Sequence, residues 1–427
     1  MSSSSLIITI INIALAVVLA VALTPLFVWW ERRISAFMQD RSGPNRCHIG
    51  PLRMGGLIQS FADMLKLVFK EDFTPSHIKY KFFFTIAPAI VFFCSFLTFA
   101  AIPFADVLVL DGQKHIMQAI PMELGIMWFL AFAGLSVYGI ILGGYSSGSK
   151  YGLLGSIRAA AQVISYEAAM GLAIISMIIS YGSIHLTDMV NAQSGTYLGI
   201  TRMWGIFIQP LAAIIFIICA FAETNRAPFD LAEGESELVA GYHTEYSAMK
   251  FGLFQVGEYS AMSASSAIIV TLFFGGYQIP WLDTQAIQSN MNYIIMAIIL
   301  TLPIAVLIVT SWMKKNNKAI GTNSSRQKET KILTVVFWAL ALIIISLLSI
   351  FLITGLGTNG VNIATAIIQV GTFLIKFFLM AFVYIWVRWT VLRFRYDQLQ
   401  MLGWKVLIPL AILNIIVTAI IVVVIGS

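Results

Sequence analysis

The stretch AETNRAPFDLAEGESELVAGYHTEYSAMKFGLFQVGEY, residues 222–259, lies between long apolar segments and holds seven of the chain's twenty acidic residues. The seven are Glu223, Asp230, Glu233, Glu235, Glu237, Glu245 and Glu258. Only Arg226 and Lys250 oppose them within the stretch. Because the flanking segments are apolar enough for a bilayer, we expect these acids at or in the membrane, where ionised carboxylates are costly and need a function. Composition alone favours a solvated acidic loop equally well.

The composition of the whole chain predicts a membrane protein. Hydrophobic residues make up 59% of its 427 residues and charged residues only 11%, whereas soluble domains carry about 25% charged residues. The formal net charge of +6 comes from basic residues in loops between apolar segments, which favours membrane orientation over a nucleic-acid partner. We therefore expect an all-α polytopic membrane protein with one membrane domain, residues 1–427, whose first apolar segment is a helix and not a cleaved signal.

Ten apolar segments have the length of a membrane-spanning helix, about 20 residues. They lie at 6–30, 82–103, 122–143, 157–181, 204–222, 253–275, 291–313, 332–354, 365–387 and 404–425. With alternating orientation, 23 of the 26 Lys and Arg residues fall in or beside the loops at 31–81, 144–157, 223–252, 314–331 and 388–404. Basic loops mark the cytoplasmic side, so the acidic loop 223–252 is predicted to face the cytoplasm, or the matrix or stroma of an organelle.

Residues 55–71 predict a different element, an amphipathic helix in the plane of the membrane interface. Its apolar positions recur at helical spacing and face a polar side that contains Gln59, Asp63, Lys66 and Lys70. The segment is too short and too polar to span the bilayer, so we expect it to cover a cavity mouth or to act as a plain surface anchor.

The sequence predicts neither a catalytic residue nor a metal site in this chain. Cys47, Cys94 and Cys219 form no CxxC pair, and the five histidines form no HxxxH pair, so zinc and iron–sulfur sites at usual spacings are excluded. Phosphate-binding glycine motifs and nucleophile constellations are absent from the sequence as well. We expect no cofactor bound by this chain.

Carboxylates inside the apolar segments point to proton chemistry. Glu167 lies near the middle of one predicted span and Glu258 near the start of another. A single such acid can be a structural hydrogen-bond acceptor, but several acids beside the acidic loop favour a path that exchanges protons. If residues 231–239 are helical, Glu233 and Glu237 share a face and a proton. Arg32, beside Trp29 and Trp30, also fits an interfacial anchor.

Five strings, in this order, resemble the family of the quinone-chamber membrane subunit (NuoH) of respiratory complex I, NADH:quinone oxidoreductase. They are ERRISAFMQDRSGPN (31–45), LIQSFADMLKLVFKED (57–72), IRAAAQVISYEAAMG (157–171), AETNRAPFDLAEGESELVAGYHTEYSAM (222–249) and FRYDQLQMLGWKVLIP (394–409). The resemblance implies a subunit without a redox centre that forms the quinone-binding chamber together with peripheral-arm subunits. NADH, FMN and iron–sulfur clusters would belong to those partners, and quinone would be the substrate.

The same resemblance implies roles for particular residues. The quinone-chamber residues would be Arg32, Phe61, Asp63, Arg226 and Phe229. The proton path would run through Glu167, Glu223, Asp230, Glu233, Glu235, Glu237, Glu245 and Glu258. Neighbouring membrane-arm subunits and lipid would be further partners, and the insertion described next favours a bacterial cytoplasmic (inner) membrane over an organellar one.

The chain departs from the family pattern at residues 281–360. The family has eight spans, whereas ten are predicted here, and the two additional ones flank KKNNKAIGTNSSRQKETK. We expect this inserted hairpin to pack on the outside of the bundle, against lipid or an extra subunit.

Two other functions remain open on sequence. A membrane-bound hydrogenase or a ferredoxin- or deazaflavin-linked dehydrogenase contains an equivalent subunit. A proton-coupled secondary transporter would need broken helices in two matching halves, and no internal repeat is evident in the sequence.

Overall fold

A computed structural model describes residues 3–41, 43–50, 52–194, 196–197, 200–201, 203–280, 282–319, 324–355 and 357–426. These residues are mostly helical. The helices are α1 Ser3–Val17, α2 Thr24–Met38, α3 Leu57–Phe69, α4 Lys81–Leu97, α5 Gly125–Ser146, α6 Lys150–Tyr181, α7 Leu186–Ala192, α8 Gly205–Ile208, α9 Pro210–Glu223, α10 Glu235–Leu238, α11 Ala248–Phe273, α12 Thr284–Ser289, α13 Met291–Ala319, α14 Ser324–Thr354, α15 Thr358–Thr390, α16 Tyr396–Met401 and α17 Ile408–Gly426.

The β-strands among the described residues form two short antiparallel hairpins. They are β1 Leu108–Leu110 with β2 Gln113–His115, and β3 Thr196–Tyr197 with β4 Ile200–Thr201. Both lie in connections between helices, so the fold is all-α, as predicted.

Among the described residues, nine helices are long and apolar enough to cross a membrane. A π-helical segment, Val18–Ala22, joins α1 to α2 in the first of them, and another, Leu402–Leu407, joins α16 to α17 in the last. The protein is therefore a multi-pass membrane protein. The remaining predicted span, 204–222, which is the fifth in chain order, coincides with α8 and α9 but is not one continuous helix.

The break between α8 and α9 has a local cause. Gln209 has φ −132° and ψ 64°, outside the helical region, and Pro210 follows it. A proline ring disfavours the helical conformation of the preceding residue. The remaining continuous helix, α9, has 14 residues and a length of about 21 Å, which is less than the hydrocarbon thickness of about 30 Å.

Helix α11 forms the centre of the bundle. It packs against α4, α9 and α15, and every residue from Ser263 to Phe273 is buried. Small residues permit this close packing in a membrane. The hydroxyl of Ser263 donates to the carbonyl of Tyr259 at 2.9 Å, and that of Ser266 to Met262 at 2.8 Å, so these buried polar groups are satisfied within the helix.

Helices α13 and α14 pair with each other at the edge of the bundle, and most of their apolar side chains are exposed. At one end the hairpin packs against α12 and α15 through an apolar cluster that contains Met291, Ile295 and Leu352. At the other end Trp312 makes an edge-to-face contact with Phe37 of α2, with ring centroids 6.3 Å apart. The exposed faces of both helices have the composition of a lipid-facing surface.

Candidate functional site

A cavity of about 550 Å³ lies between α2, α3, α11 and the acidic loop. One part of its wall is apolar and includes Val21, Val28, Met64, Leu67 and Phe92. The other part carries ionisable groups. They are Glu31, Arg32, Asp63, Arg226, Asp230, Glu233, His243, Glu258 and Arg388. A cavity with an apolar side and a charged end suits a ligand that has an apolar body and a polar headgroup.

Glu31 of α2 is the centre of the charged end. It is buried, accepts hydrogen bonds from Arg226 Nη1 at 2.7 Å and from the hydroxyl of Tyr259 at 2.9 Å, and forms an ion pair with Arg388, whose Nη1 lies 2.5 Å from Glu31 Oε1. The cluster joins α2, the acidic loop, α15 and α11. Because a buried carboxylate is stable only when its charge is matched and hydrogen-bonded, these four segments depend on one another at this point.

Arg226 contacts the ring of Tyr259 as well as the carboxylate of Glu31. Its guanidinium carbon lies 3.8 Å from the centroid of the Tyr259 ring, a cation–π arrangement. Burial by itself lowers the pKa of Arg226, but Tyr259, Glu31 and Glu258 outweigh burial and raise the pKa. The side chain therefore stays cationic, and its Nε has no hydrogen-bond partner among the described residues. This N–H is itself buried, so what Arg226 offers a ligand in the cavity that it lines is its positive charge.

Arg32 and Asp63 join α2 to α3. Their side chains form an ion pair and are 47% and 35% exposed. An exposed ion pair stabilises a structure by only about 0.2–1 kcal/mol. The contact between α2 and α3 at this edge of the cavity is therefore weak.

Asp230 lies where the acidic loop meets the cavity. Its Oδ2 accepts from Arg393 Nη2 at 2.5 Å, and its Oδ1 has no hydrogen-bond partner in the described part of the chain. Burial and the nearby Glu233 raise the pKa of Asp230 to about 6, against the lowering effect of Arg393. Asp230 can therefore change its protonation state near physiological pH.

Glu258 and Glu233 extend the acidic group into the bundle. The hydroxyl of Tyr242 donates to Glu258 Oε1 at 2.8 Å, and Glu258 interacts electrostatically with Glu233 and Arg226. A change of charge at one of these acids therefore acts electrostatically on the other.

The segment that presents Arg226 and Asp230 is fixed by a buried glutamine. Gln162 Nε2 of α6 donates to the carbonyl of Ala222 at 2.6 Å and to that of Phe229 at 2.8 Å. The turn between these two residues is thereby held against α6, which determines where its charged side chains point.

Glu167 and Glu223 form a second acidic pair on α6 and α9. They interact electrostatically, and Glu223 Oε2 lacks a hydrogen-bond partner among the described residues. Opposite Glu167, Gly134 of α5 leaves space for the carboxylate, because a Cβ there would lie 2.5 Å from Glu167 Oε1.

The remaining residues proposed from the sequence lie outside the cavity wall. Phe229 is buried against Tyr166 and Phe394, and Phe61 is on the exposed face of α3. Glu237 pairs with Arg158 at 2.5 Å, and Glu245 lies 4.0 Å from His77. The side chain of Glu235 lies outside the described residues.

The helix considered for residues 231–239 does not form. The helical residues are only Glu235–Leu238, because Gly234 and Val239 at its two ends have positive φ, 44° and 68°. Glu233 consequently lines the cavity, whereas the exposed Glu237 faces Arg158. The hypothesis that Glu233 and Glu237 share one face of a helix is therefore wrong.

Several site residues were not singled out from the sequence. They are Glu31, Gln162, Tyr242, Tyr259, Arg388 and Arg393. Glu31 was recognisable as an acid next to Arg32 at the end of an apolar span. Arg388 and Arg393 lie at or just beyond the end of an apolar span, and nothing local identifies their partners more than 160 residues away.

No three His, Cys, Asp or Glu side chains converge as a metal site in the part of the chain that the structure describes.

Comparison with known proteins shows the family. The family model described as NADH dehydrogenase matches residues 10–317 and 330–419. The H subunit of the NADH-quinone oxidoreductase of Flavobacterium psychrophilum is 40% identical over 96% of this chain and 97% of its own length. That of Bdellovibrio bacteriovorus is 37% identical over 96% of each chain, and subunit 8 of the Rhodothermus marinus enzyme is 38% identical over 95% of each.

The family model's two matched ranges include α13 up to residue 317 and α14 from residue 330. The chain therefore belongs to the NuoH family of NADH-quinone oxidoreductases, the family of a multi-pass membrane subunit of respiratory complex I.

Proposed function

We propose that the cavity is this subunit's part of the chamber in which quinone is reduced, completed by peripheral-arm subunits. The observation that carries the proposal is the mixed lining of the cavity, which combines apolar side chains of α2, α3 and α4 with the buried charges of Glu31 and Arg226. A quinone has an apolar tail and a headgroup that gains negative charge on reduction. The cationic Arg226, which lines the cavity, is suited to stabilise that headgroup electrostatically.

The amphipathic α3 supports a lateral entrance. Its Ser60, Asp63, Met64 and Leu67 line the cavity, and its other face exposes Leu65 and Phe69. A helix with one apolar exposed face lies naturally in the interface between lipid and water. Quinone dissolved in the bilayer would enter beside this helix.

Quinone reduction would be transmitted through the cavity acids. New negative charge at the headgroup disfavours the ionised forms of Glu233, Glu258 and Asp230, and because Glu233 interacts electrostatically with the other two, a proton taken up at one changes the charge that the others experience. Glu223 and Glu167 would continue this charge relay toward the neighbouring membrane-arm subunits. In this way the subunit links quinone chemistry to proton translocation without holding a redox centre.

The expected setting is the bacterial cytoplasmic membrane, with the acidic loop on the cytoplasmic side beneath the iron–sulfur subunits. The same architecture would suit a hydrogenase-type complex, but the names of the relatives favour the quinone enzyme. Co-purification with NADH-binding and iron–sulfur subunits, followed by an assay of NADH-driven quinone reduction, tests this assignment.

We expect Asp230→Asn and Glu235→Gln to impair coupling. In Asp230→Asn the buried carboxylate that pairs with the partly exposed Arg393 is lost, together with the proton that it can exchange. Proton pumping per NADH oxidised, measured with a pH-sensitive dye in inverted vesicles, is expected to fall in both variants. Full pumping and turnover in both would defeat the proposal, and Glu71→Gln, an exposed acid after α3, is the control.

The pH profile gives a second test of Asp230. Its pKa is about 6, so the carboxylate is ionised above this pH and protonated below it. Because the protonated form can take up no further proton, quinone reduction is expected to decline as the pH falls through 6 in the native enzyme. Asp230→Asn should remove this step from the profile. An unchanged step near pH 6 in the variant would assign it to another group.

A further inference from the structure

Glu329 is the only acidic residue in α13 and α14, and the proposed function assigns it no role. It lies in the second turn of α14, and its side chain is buried although the neighbouring Lys328 is exposed. A buried carboxylate in an apolar hairpin is costly unless its charge is compensated by hydrogen bonds. Its partners therefore indicate why it is there.

The partners are backbone amides of the turn before α3. Glu329 Oε1 accepts from the N–H of Arg53 at 3.1 Å and from that of Gly55 at 3.4 Å. Met54, Gly55 and Gly56 all have positive φ, 48°, 61° and 96°. Arg53, which precedes Met54, lies in the αR region with φ −112° and ψ −17°. Such an αR–αL pair directs successive N–H groups into a concave anion-binding nest, and the carboxylate of Glu329 occupies it.

The same turn is held on two other sides. Trp29 Nε1 of α2 donates to the carbonyl of Gly55 at 3.0 Å. At Gly56 a Cβ would lie 2.2 Å from the carbonyl oxygen of Pro44, so the preceding loop packs directly on the turn. Glu329 supplies the third contact, and it is the one that comes from the hairpin.

The turn leads straight into α3. Leu57, the first residue of α3, follows Gly56 without a linker, and Asp63, two turns further on, faces Arg32 across the cavity mouth. The turn conformation therefore sets the position of α3 relative to α2. Because the Arg32–Asp63 pair is exposed and weak, the buried Glu329 contact is the stronger constraint on this helix.

We propose that Glu329 is a positioning residue by which the α13–α14 hairpin holds α3 at the mouth of the cavity and so sets the apparent affinity for quinone. None of the described residues that line the cavity comes from α13 or α14, so the hairpin acts through α3. The inference rests on the proposed quinone-chamber function.

The test uses the assembled enzyme in membranes with a soluble quinone analogue as acceptor. Without the carboxylate, α3 occupies its docked position for a smaller fraction of the time, and Glu329→Ala is expected to raise KM for the quinone by about 3- to 10-fold, because apparent affinity falls in proportion to that fraction. The value of kcat should change much less. Glu329→Gln keeps an acceptor oxygen and should restore most of the affinity, and Lys328→Ala should resemble the native enzyme.

The outcomes separate this inference from the function on which it rests. Every rate is divided by the rate of NADH oxidation with an artificial acceptor that bypasses the quinone site. If KM stays native in Glu329→Ala while Arg226→Gln loses quinone reduction, the inference fails and the chamber stands. If both variants behave as the native enzyme, both fail. A loss of assembled complex without any change in KM, unrelieved by Glu329→Gln, shows a purely structural role and also overturns the inference.

Discussion

Replacing Glu31 with alanine is expected to abolish quinone reduction in the assembled enzyme. The substitution leaves the guanidinium groups of Arg226 and Arg388 facing each other without their shared carboxylate. Removing one partner of a buried ion pair costs about 3–5 kcal/mol, and here two cations lose the same partner. Arg226 would move away from Tyr259, and with it the positive charge proposed to stabilise the quinone headgroup.

Glu31→Gln separates charge from geometry. Its amide oxygen can still accept one hydrogen bond, but the amide nitrogen repels the guanidinium groups, so an intermediate loss of quinone reduction is expected. The NADH:quinone rate, divided by the rate with an artificial acceptor that bypasses the quinone site, measures both variants. Glu71→Gln, an exposed acid on the same side, controls for the loss of one negative charge. A native rate ratio in Glu31→Ala would contradict this role for the cluster.

The second large effect is expected at Gly241, where the acidic loop folds back on itself. Gly241 has φ +58°, and a Cβ would lie 1.9 Å from the carbonyl oxygen of Ala232. Relief of that overlap requires movement of the backbone at residues 232–233 or at Tyr242, which donates to Glu258. Gly241→Ala is therefore expected to disrupt the cavity acids and to remove most quinone-dependent activity.

Gly182 provides a matched control for backbone strain. It has φ +66°, but a Cβ there would meet nothing within 4 Å. Alanine in the left-handed conformation costs about 1–2 kcal/mol at either position, so only Gly241→Ala adds the overlap. We expect Gly182→Ala to retain most of its activity and assembly, measured as subunit content and NADH:quinone rate. Equal losses in the two variants would show that strain alone explains the effect.

Long apolar segments were predictable because hydropathy is a local property. Nine predicted spans correspond to helices of sufficient length, and the amphipathic spacing at 57–69 coincides with α3. The break at Gln209 shows where hydropathy is insufficient, because a window average does not register the conformational effect of Pro210. The helix considered at 231–239 is a similar case, since Gly234 adopts a left-handed conformation that residue spacing does not indicate.

The site was only partly predictable, for a different reason. Asp230, Glu233 and Glu258 were identified as members of one acidic stretch, and all three line the cavity. Glu237 belongs to the same stretch but pairs with Arg158 on the exposed side. Phe229 was proposed for the chamber, yet the structure places it in the core beside Tyr166 and Phe394. Membership in a stretch does not specify the direction of a side chain.

The sequence by itself determined the membrane class and the family and located the acidic stretch, because composition and short motifs are readable along one chain; the orientation stays a prediction. Only the tertiary structure decided that Glu31 is bound by Arg226, 195 residues away, and that Arg393 meets Asp230 across 163 residues. It also brought Glu329 to the turn before α3. Charges separated so far in sequence become partners only through helix packing, since burial makes each of them depend on finding an opposite charge or a hydrogen-bond donor.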